Sequence, residues 1–277
     1  MRRDGTMAIR DADMEAEPGF GSDRNFVTAL ARGLEVLRCF RPNEYSLSNS
    51  EIAQRTGLPK PTVTRLTHTL RQLDYLVHVE ATGHYRLGPG VLQLGYGVLA
   101  GIDVAVRAAA IMREVQREGP NPNATVALGE RHRFKMIYTA VHRSTADVSL
   151  TLNVGARLPL FHSAMGRAAL CAMPAAERDR ILDAAAAEGR EDMDLVRRNL
   201  ARAAEEYAGH GYCSSFGEWR PEISGIAVPV VSLNGDRIYA LNVGAPSFLI
   251  TPEELHEAYG PRLVAAGRTL SDVPGKG

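Results

Sequence analysis

The stretch from Ser48 to Leu73 constrains the fold more tightly than any other part of the chain. Ser48 and Glu51 have the spacing of a capping box, in which each side chain satisfies the other's orphan amide, so a helix starts at Asn49 and runs to about Arg55. Gly57 suits a left-handed turn. Pro59 and Pro61 mark the start of another helix, where a missing amide costs little. That helix is expected over Pro61–Leu73, with Val63, Leu66, Leu70 and Leu73 facing inward. A small residue at Ala53 lets the two helices approach, and the result is a helix-turn-helix.

The flanks complete a winged form. Phe26-Val27, Leu30, Leu34, Leu37 and Phe40 recur at helical spacing and predict a first amphipathic helix ended by Pro42. After the helix-turn-helix, Tyr75–Glu80 and His84–Leu87 flank Ala81-Thr82-Gly83, a hairpin with a glycine turn. The outer face of the third helix carries Lys60, Thr62, Thr64, Arg65, His68 and Arg71. Hydroxyls and cations there suit phosphates and base edges in a major groove. Ser48 and the wing residue Arg86 are further candidate DNA contacts. The same groups on a merely solvated face, with the motif used for protein contacts, are the alternative.

Charge supports the nucleic-acid reading only when it is divided. Lys+Arg and Asp+Glu both number 32, so the chain as a whole is neutral. Residues 1–23 carry a net of minus three, residues 24–90 plus four, and residues 91–277 minus one. The basic excess sits in the winged block, and the acidic, polar residues 1–23 read as a disordered tail.

Residues 91–119 read as a linker helix. Gly95, Gly97 and Gly101 weaken its first half and also permit close packing, against a second subunit or within one. Residues 120–277 read as a mixed α+β domain. Strands are expected at Thr125–Leu128, Met136–Val141, Val148–Val154, Tyr212–Phe216, Ile223–Val231 and Arg237–Val243, with a hairpin at Asn234-Gly235. Helices are expected at Ser163–Met173, from Pro174 to about Ala187, and at Leu195–Ala208. Thr251 as N-cap and Pro252 behind it open a last helix. The expected architecture is a largely antiparallel sheet with helices on one side.

Other function classes find little support. Cys39, Cys171 and Cys213 are odd in number and far apart, so a disulfide framework or zinc cluster is not expected. The charge-free run Leu87–Ile102 is too short and too glycine-rich to span a bilayer, and the N-terminus has no apolar signal core, so a cytoplasmic protein without membrane contact is expected. No G-x-S-x-G, phosphate-binding glycine loop or H-E-x-x-H occurs, so no catalytic residue, metal or cofactor is assigned.

The order and spacing of several segments resemble the IclR (isocitrate lyase regulator) family of bacterial transcription factors. These are Ala31–Leu37, Gly57-Leu58-Pro59-Lys60 with Thr62–Leu66, Tyr85-Arg86-Leu87-Gly88, Gly155–Leu160, Ser163–Ala168 and Ile226-Ala227-Val228-Pro229. The resemblance covers about residues 24–270. It implies a winged helix-turn-helix with a GAF-like effector-binding domain, a homodimer or dimer of dimers on double-stranded operator DNA, and a small-molecule effector. The chain departs from the family pattern at Pro61 and Asp74, which stand where Ser and Gly are usual. Gly225, Ser215 and Asn242-Val243-Gly244 replace the Cys, Asp and S-x-S that hold a small carboxylate in organic-acid sensors of the family.

Those replacements point to an effector larger and less polar than glyoxylate or pyruvate, an aromatic or other organic acid. Met165, Phe216 and Trp219 are its expected walls, with plain core packing as the alternative. Ser163, Ser215 and Asn242 are the expected polar anchors, and Ala164, Gly225 and Ala227 line the same site. Two alternatives stay open: an enzyme with a regulatory or vestigial helix-turn-helix, and a ligand-binding protein that no longer contacts DNA.

Overall fold

A computed structural model of the chain describes residues 24–41, 44–101, 103–143, 150 and 152–271. The tail at 1–23, Pro42, and Val148, Ser149 and Thr151 of the strand expected at 148–154 lie outside the described residues, and the remaining four residues of that stretch are not in a strand. Among these, the residues up to Gly101 form one compact unit and those beyond it another.

The first unit holds α1 (Thr28–Arg38), α2 (Asn49–Thr56), α3 (Lys60–Gln72), β1 (Leu76–Val79), β2 (His84–Leu87) and α4 (Pro89–Ala100). The capping box forms as the sequence predicts: the Ser48 hydroxyl accepts from the Glu51 amide, and the Ser48 amide donates to the Glu51 carboxylate at 2.8 Å. Gly57 takes the left-handed turn, φ 68°. Val36, Leu47, Ile52, Ala53, Val63, Leu70 and Leu76 make the core. Thr67, which the apolar pattern passes over, is also fully buried, and its hydroxyl reaches Asn49 on α2. Leu47 pairs with Tyr85, adding a bridge to the β1–β2 wing.

Three expectations need correction here. α1 ends at Arg38, ahead of Pro42. Val27, Leu30 and Leu34 of its expected inner stripe are 62, 63 and 46% exposed, because nothing among the described residues covers them. Leu73 is likewise exposed, since α3 has already ended at Gln72. Asp74 behind it adopts φ 60°, the left-handed conformation that glycine would take more cheaply. Its carbonyl is packed so closely by Gly88 that a Cβ there would lie 2.2 Å away.

The single linker helix expected over 91–119 is two helices. α4 belongs to the first unit, and α5 (Asp103–Glu118) to the second, where it packs on the sheet and the last helix. Gly101 terminates α4. Among the described residues, no single helix is long and apolar enough to cross a membrane.

Among the described residues, the second unit is built on one antiparallel sheet of six strands, in the order β5-β4-β3-β8-β7-β6. The strands are β3 (Thr125–His132), β4 (Lys135–His142), β5 (Arg157–Pro159), β6 (Cys213–Phe216), β7 (Ile223–Val231) and β8 (Ile238–Pro246). Helices cover both faces, where one was expected. α6 (Ala164–Ala172), α7 (Ala175–Glu188) and α8 (Met193–His210) form one layer. α5 and the C-terminal helix form the other. That last helix comprises α9 (Pro252–Glu254), a π-helical turn (Leu255–Tyr259) and α10 (Gly260–Ser271), and Thr251 caps it. The reason is visible in the central strands: β7 and β8 are apolar almost without alternation, so both of their faces need cover. Gly267 of α10 lies against Val228 on one face, while Ala227 packs with Ala168 and Met165 of α6 on the other.

Gly166 lets α6 approach closely, since a Cβ there would fall 1.9 Å from the Leu160 carbonyl. The three cysteines are free thiols, though Cys171 and Cys213 meet in space, sulfur to sulfur, at 3.8 Å.

Candidate functional site

Two sites emerge, one in each unit. The first is the outer face of α3. Lys60, Thr64, Arg65, His68 and Arg71 are exposed there, and Thr62 is half-buried. Among the described residues Lys60, Arg65 and Arg71 form no ion pair, so their charges face solvent. The basic residue nearest the turn behaves differently: Arg55 is held by Glu44 and by the Cys39 carbonyl, which makes it a brace for α2. Two expected contacts are already engaged. The Ser48 hydroxyl donates to Glu51 as part of the cap. The Thr64 hydroxyl donates to the Lys60 carbonyl and accepts from Asn49, leaving one lone pair. Arg86 is exposed on the wing, its guanidinium near the Leu87 carbonyl.

The second site is a pocket between α6 and the sheet. Register explains its floor. Ser215, Gly225, Gly244 and Thr125 stand side by side across β6, β7, β8 and β3, and antiparallel partners share a face. The two central members are glycines, so the middle of the row has no side chains. The next row on the same face is Cys213, Ala227, Asn242 and Ala127. Asn242 therefore stands at the edge of a depression. The roof is the start of α6, where the Ser163 hydroxyl caps Gly166 and donates to the Pro159 carbonyl at 2.6 Å. Tyr138, Leu150, Leu152, Leu158, Trp219, Ile223 and Ser224 complete the lining.

Among the described residues, no lining side chain is charged. The free volume is about 30 Å³, room for a single water, so a ligand must part the walls. Burial pushes the Tyr138 phenol far up, and it stays neutral beside the Asn242 carboxamide. The Asn242 Oδ1 and the Thr125 hydroxyl are both buried without a hydrogen-bond partner among the described residues.

Of the expected effector residues, Ser163, Ala164, Met165, Ser215, Trp219, Gly225 and Asn242 come together in this lining. Two do not. Phe216 follows Ser215 on a strand, so alternation sends it to the other face, where its ring meets His256 edge-on at 5.3 Å. Ala227 shares the face of Gly225 but lies one row away, sealed into the core under α6. Nor does glycine at 225 simply vacate the space of a thiol: a Cβ would come within 2.8 Å of the Val243 carbonyl, so the backbones themselves lie close.

Sequence reasoning missed the support for Trp219. Arg167, 1% exposed, grips Glu218 with both guanidinium nitrogens at 3.0 and 2.7 Å and also donates to the carbonyls of Phe161 and Ser214. Arg202 binds the same carboxylate at 2.5 Å. Burial alone would raise the Glu218 carboxyl, but these partners outweigh it and hold it below the usual carboxylate range. The clamp fixes the β6–β7 loop, and Arg220 stacks on the Trp219 ring at 5.0 Å. The usable signal was a cation inside an apolar helix.

Comparison with known proteins finds relatives of both units. Residues 29–80 match the IclR helix-turn-helix domain, and residues 96–272 match the bacterial transcriptional regulator IclR C-terminal domain. The HTH-type transcriptional regulator TsaQ1/TsaQ2 of Comamonas testosteroni is 30% identical over 92% of this chain and 90% of its own. The Pca regulon regulatory protein of Pseudomonas putida is also 30% identical, over 91% and 85%. A crystal structure of an IclR family regulator from Brucella abortus superposes with a TM-score of 0.77 at 41% identity, covering 92% of this chain and 96% of that one. An IclR homologue from Microbacterium hydrocarbonoxydans, solved in complex with 4-hydroxybenzoate, shares the fold at 24% identity and a TM-score of 0.63, over 87% and 99%. The chain belongs to the IclR family: it is a transcriptional regulator, with a helix-turn-helix for DNA and a separate effector-binding domain.

Proposed function

We propose that this regulator acts in the cytoplasm as a homodimer, or a dimer of dimers, on operator DNA, and that an aromatic acid in the α6 pocket controls it. The observation that carries the effector class is the lining itself. Trp219, Met165, Leu150, Leu152, Leu158 and Ile223 offer apolar walls, and the polar groups are neutral. Such a pocket favours a ring over a small, fully hydrated keto acid. The carboxylate has a seat at the N-terminus of α6, where the Ala164 and Met165 amides have no acceptor among the described residues. The structural neighbour that holds 4-hydroxybenzoate supports the same reading.

The dimer rests on the first unit. α4 carries no charged residue, and its Leu92, Leu94, Tyr96 and Val98 are 75, 57, 69 and 60% exposed, in addition to the bare stripe on α1. Exposed apolar side chains in this number suit an interface. One recognition helix reads few base pairs, so paired half-sites supply the specificity. Lys60, Thr62, Thr64, Arg65, His68, Arg71 and Arg86 are the DNA contacts in this reading, with Arg65 and Lys60 foremost.

Analytical ultracentrifugation and thermal-shift screening test both parts. A sedimenting dimer or tetramer, stabilised by aromatic acids more than by glyoxylate or pyruvate, is the expected result. A monomer, or stabilisation by the small keto acids alone, would overturn it.

A further inference from the structure

The unmatched polar atoms on the pocket floor specify the ligand further, on the basis of the aromatic-acid reading above. Asn242 is 8% exposed and Thr125 2%, and both carry a buried oxygen without a partner among the described residues. They are diagonal neighbours on one face of the sheet, because Thr125 pairs with Gly244 and Ala127 with Asn242. Asn242 lines the pocket directly, next to the side-chain-free Gly225–Gly244 pair. A buried polar group left unmatched costs free energy, so a ligand gains by matching it.

A carboxylate cannot match Oδ1, because both are acceptors only. A hydroxyl both donates and accepts. It satisfies the carboxamide in either orientation and leaves the carboxylate for the amides of α6. We propose that the effector is a hydroxylated aromatic acid, bound with its ring hydroxyl against the Asn242 carboxamide, and that Asn242 selects it over the unsubstituted acid. Tyr138 beside Asn242 stays neutral and adds a second hydroxyl to that end of the pocket.

The test is calorimetric titration of the full-length protein with benzoate, 3-hydroxybenzoate and 4-hydroxybenzoate, repeated on Asn242→Leu. In the native protein at least one hydroxybenzoate should bind about tenfold or more tighter than benzoate. In N242L that preference should vanish. N242D, which keeps the shape but adds negative charge, should bind all three acids more weakly. Equal affinity of the native protein for all three acids would overturn the selection while leaving the aromatic reading intact. A preference retained in N242L would place the hydroxyl elsewhere and refute the role of Asn242. No binding of any of the three by folded, operator-binding protein would overturn the aromatic reading together with the inference.

Discussion

The two units handle charge in opposite ways. The outer face of α3 leaves Lys60, Arg65 and Arg71 in solvent, without ion pairs among the described residues, a face that suits a polyanion. The effector unit buries Arg167 and gives it four hydrogen bonds, and the described lining of its ligand pocket carries no charge. An exposed unpaired cation costs its own fold little, whereas a buried one without its carboxylate is expensive. Substitutions at the DNA face should therefore change binding without changing stability. Substitutions around the pocket should change stability first.

The largest effect should come from the effector unit. Gly166→Val forces a side chain into the Leu160 backbone, which cannot yield cheaply, and should cost about 4 kcal/mol or more. Loss of the cooperative denaturant transition of that unit would be the readout, and a native-like midpoint would show that α6 can shift.

Arg167→Met comes next. It strands part of a half-buried carboxylate and should cost about 3 kcal/mol by chemical denaturation. The same pair sets an acid limit. The folded-state carboxyl of Glu218 is depressed, so its contribution is fully present above the ordinary carboxylate value and is lost as pH falls through the depressed one. Native protein should lose this stability only in acid below pH 4.5, and Glu218→Gln should flatten that part of the profile. An unchanged acid limb would remove the clamp from the account.

On the DNA side, Arg65→Ala should weaken operator binding by about 1–3 kcal/mol at fixed salt, with the melting temperature unmoved. Lys60→Ala should lower the slope of log affinity against log salt by about one per site. A stability loss in either variant would break the contrast between the units.

The smallest effect tests a departure within the winged unit. Asp74→Gly removes a left-handed aspartate next to the wing and should stabilise by about 0.5–1 kcal/mol. Destabilisation would mean that the aspartate side chain compensates for its own backbone.

The same contrast explains what could be read from sequence. Ser48, Glu51, Gly57 and Thr251 act on residues within a few positions of themselves, so their roles were legible. The pocket is assembled across strands. Seven of its members could be named from the sequence, but the opposed glycines at 225 and 244 appear only once the β7–β8 register is known. Phe216 was misplaced by one step of alternation. Tyr138 and Thr125 lie on strands whose apolar runs gave no reason to single them out. The helices on both faces were missed because β7 and β8 were read as half-buried strands. The apolar stripe on α1 has the spacing of a core face in the sequence, and spacing alone does not tell whether the chain's own residues cover it.

The central claim is that an aromatic acid in the uncharged pocket alters how the winged unit binds DNA. The direct measurement is fluorescence anisotropy on the promoter fragment upstream of the protein's own gene, at one salt concentration, with and without saturating 4-hydroxybenzoate. Linkage between the two sites predicts a shift in operator Kd of about 5- to 150-fold, in either direction, reduced in N242L. An operator Kd identical with and without the ligand would contradict the account.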